Sequence, residues 1–563
     1  MRFFKGSLGV LGFWSMGAWA SPDATGYPQD ILDKWASKSV QELVLPDAPP
    51  PSRASISSLF GNEYEVNSYF GSLLSERHLP VRLSRVEVVV GDDQLNSSRF
   101  QSHLEVLGKT HSVADPIPAA LERDFWGASD LAYKSAVKQW GLKQASRSSQ
   151  GGEVPADWSQ ADPVQYFAPS KVDFSPEAEA QLRALILAAS AQLKAVEGLR
   201  NGRVNAKVFS GHHHISTSEG TRIIQPYNYA SIYAWVDALT VDGERIYDRE
   251  QWVVTDAASI ESEAVMGRIL EMGESVAARA QAPVVQFYEG PVLFEGDAAA
   301  DFLRYLVSRE LMGTPSEPSE DRTYHQMARN GPRIGRRLLP ADWTVVDDPN
   351  ATGVGQYRFD MEGVPAQEVT LVDDGYVRDL VMSRVPRHDR AVSNGHARGA
   401  IQGSWSARLS NWRVTPNKNL SERAFYRQVD RVKNAAKTER ILVVKGLSGG
   451  ASLGVLPRPT DAVWRNADGS ETPVRTLMFQ NVDRRTLRDI AAAGGGSLTR
   501  SYLDPFSGRG RSAKASGLPM SVTGPRLILL AEMELVYPGP DEDLHLLPPP
   551  ALSRDAVSED ATE

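Results

Sequence analysis

Three stretches of the chain hold residue types whose spacing could do chemistry. In "SGHHHISTSEG", Ser210 to Gly220, an extended backbone puts His212 and His214 on one face and His213 on the other. A His-x-His pair on a strand can furnish two ligands to zinc or copper. A third would have to come from Glu219 or from a distant residue such as His388 or His396. The competing reading is a polar histidine cluster on a solvated strand edge, and the sequence favours it. In "GLSGG", Gly446 to Gly450, the G-x-S-x-G pattern of a nucleophile elbow follows the strand-like "ILVVK". That chemistry needs a helix directly after the serine, which Pro457 and Pro459 forbid, so a tight turn or a close backbone approach is expected instead.

The third stretch is "GPVLFEGDAAADFLRYL", Gly290 to Leu306, where Glu295 ends an apolar strand at a helix entrance with no histidine or cysteine beside it. A carboxylate there is ordinarily stabilised by the unpaired amides and the dipole of the first turn, and Asp297 is placed to cap the helix. On residue chemistry alone, Glu295 is a helix-terminus feature.

Composition limits what these residues can serve. The chain has 563 residues, 41% of them hydrophobic and 8% aromatic, enough for two to four domains with sizeable cores. The net charge of −9 comes from interspersed acids and bases, so no field argues for nucleic acid as a partner. Cysteine is absent, which removes disulfides, a lipid-accepting anchor, thiolate metal ligands and thiol nucleophiles. At the N-terminus, Arg2 and Lys5 precede an apolar run that closes on Ala18-Trp19-Ala20. That is the pattern of a signal peptide over residues 1–20, too short to span a bilayer. The expected product begins at Ser21, has no membrane span, and is exported to the periplasm or outside the cell.

The elements that must position the candidate residues read as an α+β fold. Residues 21–170 form an irregular α+β region, broken at Pro46–Arg53 and Ser146–Pro163, with strand candidates such as "VRLSRVEVVVGDD". In residues 171–285, Ser175 and Pro176 supply an N-cap and a first-turn proline. Leu182, Leu185, Ile186, Ala189, Leu193 and Val196 then follow at helical spacing until Gly198. An antiparallel meander is expected from Val204 to Thr255, with turns at Ser218-Glu219-Gly220 and Asp242-Gly243, and a second helix over about Ala258 to Gln281. Residues 286–538 form a β-rich domain opened by a helix from Asp297 to about Met312, with hairpin signals in "VDDGYV" and "NADGSE" and a last strand in "RLILLAEMELVYP". Residues 539–563 are an acidic, proline-rich tail expected to be disordered.

The order of motifs in the second half resembles the TldD/PmbA family, also described as modulators of DNA gyrase and as metallopeptidases. The matching pieces are "STSEGTRI", "APVVQFYEGPVLFEGDAAADFLRYL", the block from "RIGRRLLP" to "VRDLVMSR", "SNGHARG", "ADGSETPVRTLMF" and "PRLILLAEMELVYP". They run in family order from about Arg203 to Tyr537, roughly 60% of the chain. The resemblance implies the two-domain fold of that family: a helix-plus-meander unit followed by a β-rich C-terminal domain.

In the zinc-bearing, TldD-like subunit of that family the strand-to-helix junction carries His-Glu-x-x-x-His, and a distant cysteine completes the zinc site. Placed on that motif, Phe294 stands for the first histidine, Glu295 keeps the position of the catalytic glutamate, and Ala299 stands for the second histidine. The resemblance therefore implies a hydrolase family but a degenerate zinc site, with no resident cofactor and a regular start to the helix. It points to a non-catalytic, PmbA/TldE-like subunit or peptide-binding scaffold in proteolysis. Such a chain is expected to dimerise, with itself or with a TldD-like subunit, around a chamber that admits unfolded peptides. Two alternatives stay open: a metallopeptidase with zinc relocated to His212 and His214 and with Glu295 or Glu219 as base, and a stand-alone binding module.

Overall fold

The computed structural model describes residues 29–102, 104–111, 117–148, 155–168, 176–315, 317–319, 331–449, 453–505 and 517–539. The leader read at 1–20, the N-cap Ser175 and the tail from residue 540 lie outside them. After helix α1 (Gln29–Gln41), strands β1 (Pro51–Tyr69) and β2 (Ser72–Val90) form one long hairpin. Its turn uses Phe70 and Gly71, both at positive φ. β3 (Leu107–His111) pairs with β2, and helix α2 (Pro118–Ser148) follows, then β4 (Gln165–Phe167).

Helix α3 (Pro176–Ala191) starts at the predicted proline and continues as one 3-10 turn to Ala195. The meander is β5 (Leu199–Thr217), β6 (Arg222–Leu239) and β7 (Arg245–Val254), turning at Gly220 and Gly243 with φ of 101° and 86°. Glycine reaches that region without a Cβ clash, which is why the chain can reverse there. Helix α4 (Ser262–Ala280) begins later than the expected Ala258, because Asp256 accepts from the Ala258 amide and holds Ala257–Ser259 as a separate 3-10 turn.

The sheet order β3-β2-β1-β5-β6, with β4 and β7 both on β6, puts β5 in the interior. β1 pairs with β5 from Ser55 opposite Thr217 to Tyr69 opposite Arg203, so residues on both sides of position 170 share this sheet. α3 and α4 cover one stretch through Leu185, Ile186, Ile269, Met272 and Val276 against Val204 and Ile232. α1 and α2 cover another, with Leu32 and Phe125 against Ile56, Val86 and Val88.

The second sheet is built around β8 (Phe287–Glu295), which leads into helix α5 (Asp297–Val307). The helix ends earlier than the expected Met312, passing into a 3-10 turn over Ser308–Glu310. Then come β9 (Trp343–Asp347), β10 (Val369–Asp373), β11 (Tyr376–Val377), the small ladder β12 (Ala397–Arg398) with β13 (Ser406–Ala407), and β14 (Asn411–Pro416). Helix α6 (Glu422–Ala435) precedes β15 (Ile441–Leu447), β16 (Pro459–Arg465), β17 (Glu471–Pro473), β18 (Met478–Gln480), β19 (Ile490–Pro505) and β20 (Gly517–Val536). The main order is β11-β10-β9-β14-β20-β8-β15-β16-β17, with β18 and β19 also on β20. Hairpins turn at Gly375 and Gly469, in the two stretches carrying Asp-Gly signals.

β8 is sandwiched, and its alternation decides what each side chain meets. Phe294 belongs to the cluster with Ala298, Ala299 and Phe302 of α5, whereas Leu293 belongs to the one with Phe425 and Val429 of α6. Residues 298–307 of α5 are all buried, which explains an apolar sequence interrupted by Asp301 and Arg304: those two meet charges from neighbouring strands.

Candidate functional site

The junction between β8 and α5 is the place where the resemblance puts a metal site. Gly296 is the N-cap, at φ 62°, and its amide donates to the Arg526 carbonyl at 2.8 Å. No side chain caps this helix, so neither Glu295 nor Asp297 has the capping role expected of it. Asp297 turns instead to Arg500, with Oδ2 3.0 Å from its Nη1. Glu295 is half-buried at the strand end. Burial works against the Lys445 ammonium, but Glu471, hydrogen-bonded at 2.6 Å, and the Glu295 carboxylate together hold its pKa above the ordinary value.

Phe294 and Ala299 are both 0% exposed. The Phe294 ring lies 4.7 Å from Phe302 and 5.8 Å from Phe479, centroid to centroid. Zinc needs nitrogen, sulfur or carboxylate donors. A phenyl ring and a methyl group offer none, and the adjoining space is filled by aromatic packing, so this donor set does not fit zinc. α5 runs as an α-helix from Asp297 with a tightened first turn, the Gly296 carbonyl accepting from the Ala299 amide at 3.1 Å and from the Ala300 amide at 3.4 Å, the opposite of a widened turn.

The histidine run sits on β5, an interior strand, so the solvated strand edge is not its setting. His212, His213 and His214 are 8%, 2% and 0% exposed. His212 and His214 do share a face, with ring centroids 6.2 Å apart. His213 Nε2 is 2.6 Å from Ser57 Oγ on β1, and burial pushes its pKa down to about 3. His214 Nδ1 donates to Gln29 Oε1 of α1 at 2.9 Å, and burial again favours the neutral ring.

The third ligands considered for that pair are engaged elsewhere. Glu219 makes a two-pronged ion pair with Arg384, at 2.7 and 2.9 Å. His396 is fully buried with Nε2 3.1 Å from Asp347 Oδ2, and His388 is exposed. Among the described residues, no three His, Asp or Glu side chains are grouped so as to hold a metal ion. Ser448 lies just past the end of β15, its amide bonded to the Arg458 carbonyl at 2.9 Å. Residues 450–452 are outside the described set, and the next element is the strand β16 rather than a helix.

Sequence reasoning missed the polar contacts between the two sheets. Arg500 of β19 binds Glu250 of β7 at 2.6 Å and also meets Asp297 and Asp301 of α5 at 3.0 and 3.6 Å. Arg304 pairs with Asp504, and Ser275 of α4 donates to Asp461 of β16 at 2.8 Å. Burial, reinforced by Asp461, pushes the Asp248 carboxyl up to about 6. Burial, reinforced by Asp297 and Asp248 and opposed by Arg500 and Arg268, pushes Glu250 up to about 7. A second polar region lies between β5–β6 and the loops of the C-terminal domain, where a cavity of about 60 Å3 is lined in part by His213, Tyr227, Tyr357 and Arg398.

Comparison with known proteins agrees with this architecture. Residues 288–534 match the family described as the PmbA/TldA metallopeptidase C-terminal domain. A protein named "Metalloprotease" from Methanothermobacter thermautotrophicus is 26% identical over 167 residues, 29% of this chain and 35% of that relative's length. The matched part thus spans about a third of that relative. TldE from Thermococcus kodakarensis superposes with a TM-score of 0.60 at 14% identity, covering 90% of this chain and 99% of that one. A putative modulator of DNA gyrase from Thermotoga maritima gives 0.56 at 13% identity, covering 86% and 96%. At such identities the superpositions speak to the fold alone.

Proposed function

The chain belongs to the TldD/PmbA family, and from that premise we propose that it is a PmbA/TldE-like member without a working zinc centre, acting as a scaffold that holds peptide in proteolysis. One observation carries the reading: the positions of both expected histidines, Phe294 and Ala299, are part of a packed apolar core, with the Phe294 and Phe302 rings 4.7 Å apart. In a zinc peptidase the metal lowers the pKa of a bound water, and a glutamate takes its proton. Glu295 without those ligands is a base with no activated nucleophile beside it.

The same reading makes the protein an exported one, processed after Ala20. It also makes it a partner in a dimer, formed with itself or with a TldD-like chain bearing His-Glu-x-x-x-His. The test is direct. The purified protein is assayed for metal content and for cleavage of an unfolded peptide, alone and with such a partner added. The expected result is substoichiometric zinc and no cleavage alone, with light scattering at about twice the chain mass. Near-stoichiometric zinc with cleavage lost on Glu295→Ala would overturn the reading. Zinc lost only on combined His212→Ala and His214→Ala would move the metal to β5.

A further inference from the structure

The cavity between β5–β6 and the C-terminal domain contains a buried charge with no carboxylate in direct contact. Arg398 is 6% exposed and lines it. Its Nη1 donates to the Leu409 carbonyl at 2.9 Å and its Nη2 to the Pro519 carbonyl at 2.7 Å. The guanidinium lies 4.8 Å from the centre of the Tyr357 ring. Those carbonyls occupy two of five N–H donors, and among the described residues no carboxylate lies within ion-pair distance. Burial pulls the pKa of Arg398 down against the more distant Asp347 and Asp504, which are themselves paired with His396 and Arg304, and a guanidinium starts so high that it stays charged. A buried cation with no paired anion is costly unless something supplies the opposite charge.

The other walls are neutral and rich in donors. Burial pushes Tyr227 up to about 12 and Tyr357 upward as well, so both are phenols at ordinary pH. Tyr357 donates to the Gly395 carbonyl at 2.9 Å, while the Tyr227 bond to Gly517 is long, at 3.4 Å, and readily exchanged for a better acceptor. Asp360 also lines the cavity but accepts the amides of Glu362, Val364 and Ala397, at 3.0, 2.8 and 2.9 Å. Burial and the neighbouring Glu362 push its carboxyl upward, toward the neutral form, while its amide partners pull the other way. His213 is neutral there for the reason given above.

We propose that this cavity is a binding site for a small carboxylate, whose anionic end takes the counter-ion place beside Arg398 and accepts from the Tyr227 hydroxyl. Its volume of about 60 Å3 has room for on the order of four waters, and so for a carboxylate with one or two carbons. The site owes nothing to the zinc motif, and its test is independent of the peptidase reading. The carboxylate belongs either to a free small acid or to the C-terminus of a peptide, and the two are separable.

The test uses the full processed chain at pH 7 in calorimetric titration and thermal unfolding, with sodium acetate, sodium chloride and acetamide at matched ionic strength. Tri-alanine with a free and with an amidated C-terminus forms the second arm. Acetate is expected to bind saturably, at least tenfold tighter than chloride or acetamide. Arg398→Gln should weaken it by about tenfold or more, and Tyr227→Phe by about two- to tenfold. A peptide that binds only with its carboxylate free identifies a chain terminus as the ligand; acetate binding without peptide binding identifies a free acid. Equal effects of acetate, chloride and acetamide would overturn the proposal, as would undiminished acetate binding in Arg398→Gln. Should that variant fail to fold, Tyr227→Phe and a cavity-filling change at Val354, which also lines the site, Val354→Leu, replace it. Unchanged acetate affinity in both would equally rule the site out.

Discussion

Glu295 and Phe294 are neighbours on β8 under different constraints, and substitution separates them. Phe294 is fully buried among Phe302, Phe479 and Ala299, so Phe294→Ala leaves a cavity and is expected to cost about 3–5 kcal/mol. Glu295 has no capping bond and only charge contacts with Lys445 and Tyr426, so Glu295→Ala should cost about 0.3–1 kcal/mol. Urea unfolding of the two variants measures the contrast. A Glu295→Ala loss as large as that of Phe294→Ala would mean that the carboxylate anchors the junction. The order of importance is the reverse of that in a working metallopeptidase, where the residue pair would be ligand and base.

The elements were largely legible because their signals are local. Pro176 and the apolar spacing after it placed α3, while Gly220 and Gly243 placed the turns of the meander. What stayed hidden is long-range: Glu250 and Arg500 are separate charges in separate strands until β7 and β19 meet. The apparent surface histidines became interior ones for the same reason, since the edge of β5 is covered by β1, which lies about 150 residues earlier. That hidden seam has a pH dependence whose sign follows from burial. Glu250 is pushed up to about 7 from an unfolded value near 4.3, so the folded state binds its proton more tightly. Its contribution to stability is full below about pH 4 and is lost as pH rises through about 7. His213, pushed down to about 3, works oppositely: its contribution is present above about pH 6.5 and is lost as pH falls. Glu250→Gln removes only the first effect, so the melting-temperature advantage of the wild type over this variant should shrink between pH 5 and pH 8. A gap that widens instead would mean that Glu250 is ionised throughout. Arg500→Met, which strands Glu250, Asp297 and Asp301 together, is expected to cost about 3–5 kcal/mol at pH 8 and less at pH 5.

At the scale of the whole molecule, the first sheet ties the described residues before position 170 to the meander more closely than the Pro- and Gly-rich breaks suggest. β1 contributes the pairing along β5 from Tyr69 opposite Arg203 to Ser55 opposite Thr217. Tyr64, Val66 and Phe70 enter the same core cluster as α3 and α4, Ser57 meets His213, and Gln29 meets His214. A fragment of residues 176–539 keeps the region matching the family's C-terminal domain together with the meander, but it loses every one of these partners. Its β5 edge would then present Val204, Ala206, Val208, Phe209 and Ile215, all buried in the intact chain, beside a row of unpaired amides and carbonyls. Such an edge is a template for association with other chains, and two buried histidines would face water or each other without their hydrogen-bond partners. The fragment is expected to aggregate or to elute as broad oligomers that bind a hydrophobic dye, whereas residues 29–539 should unfold in a single cooperative transition. Monomeric elution of 176–539 with a sharp melting transition would show that the N-terminal hairpin is an appendage, and the division at residue 170 would then mark two bodies that fold separately.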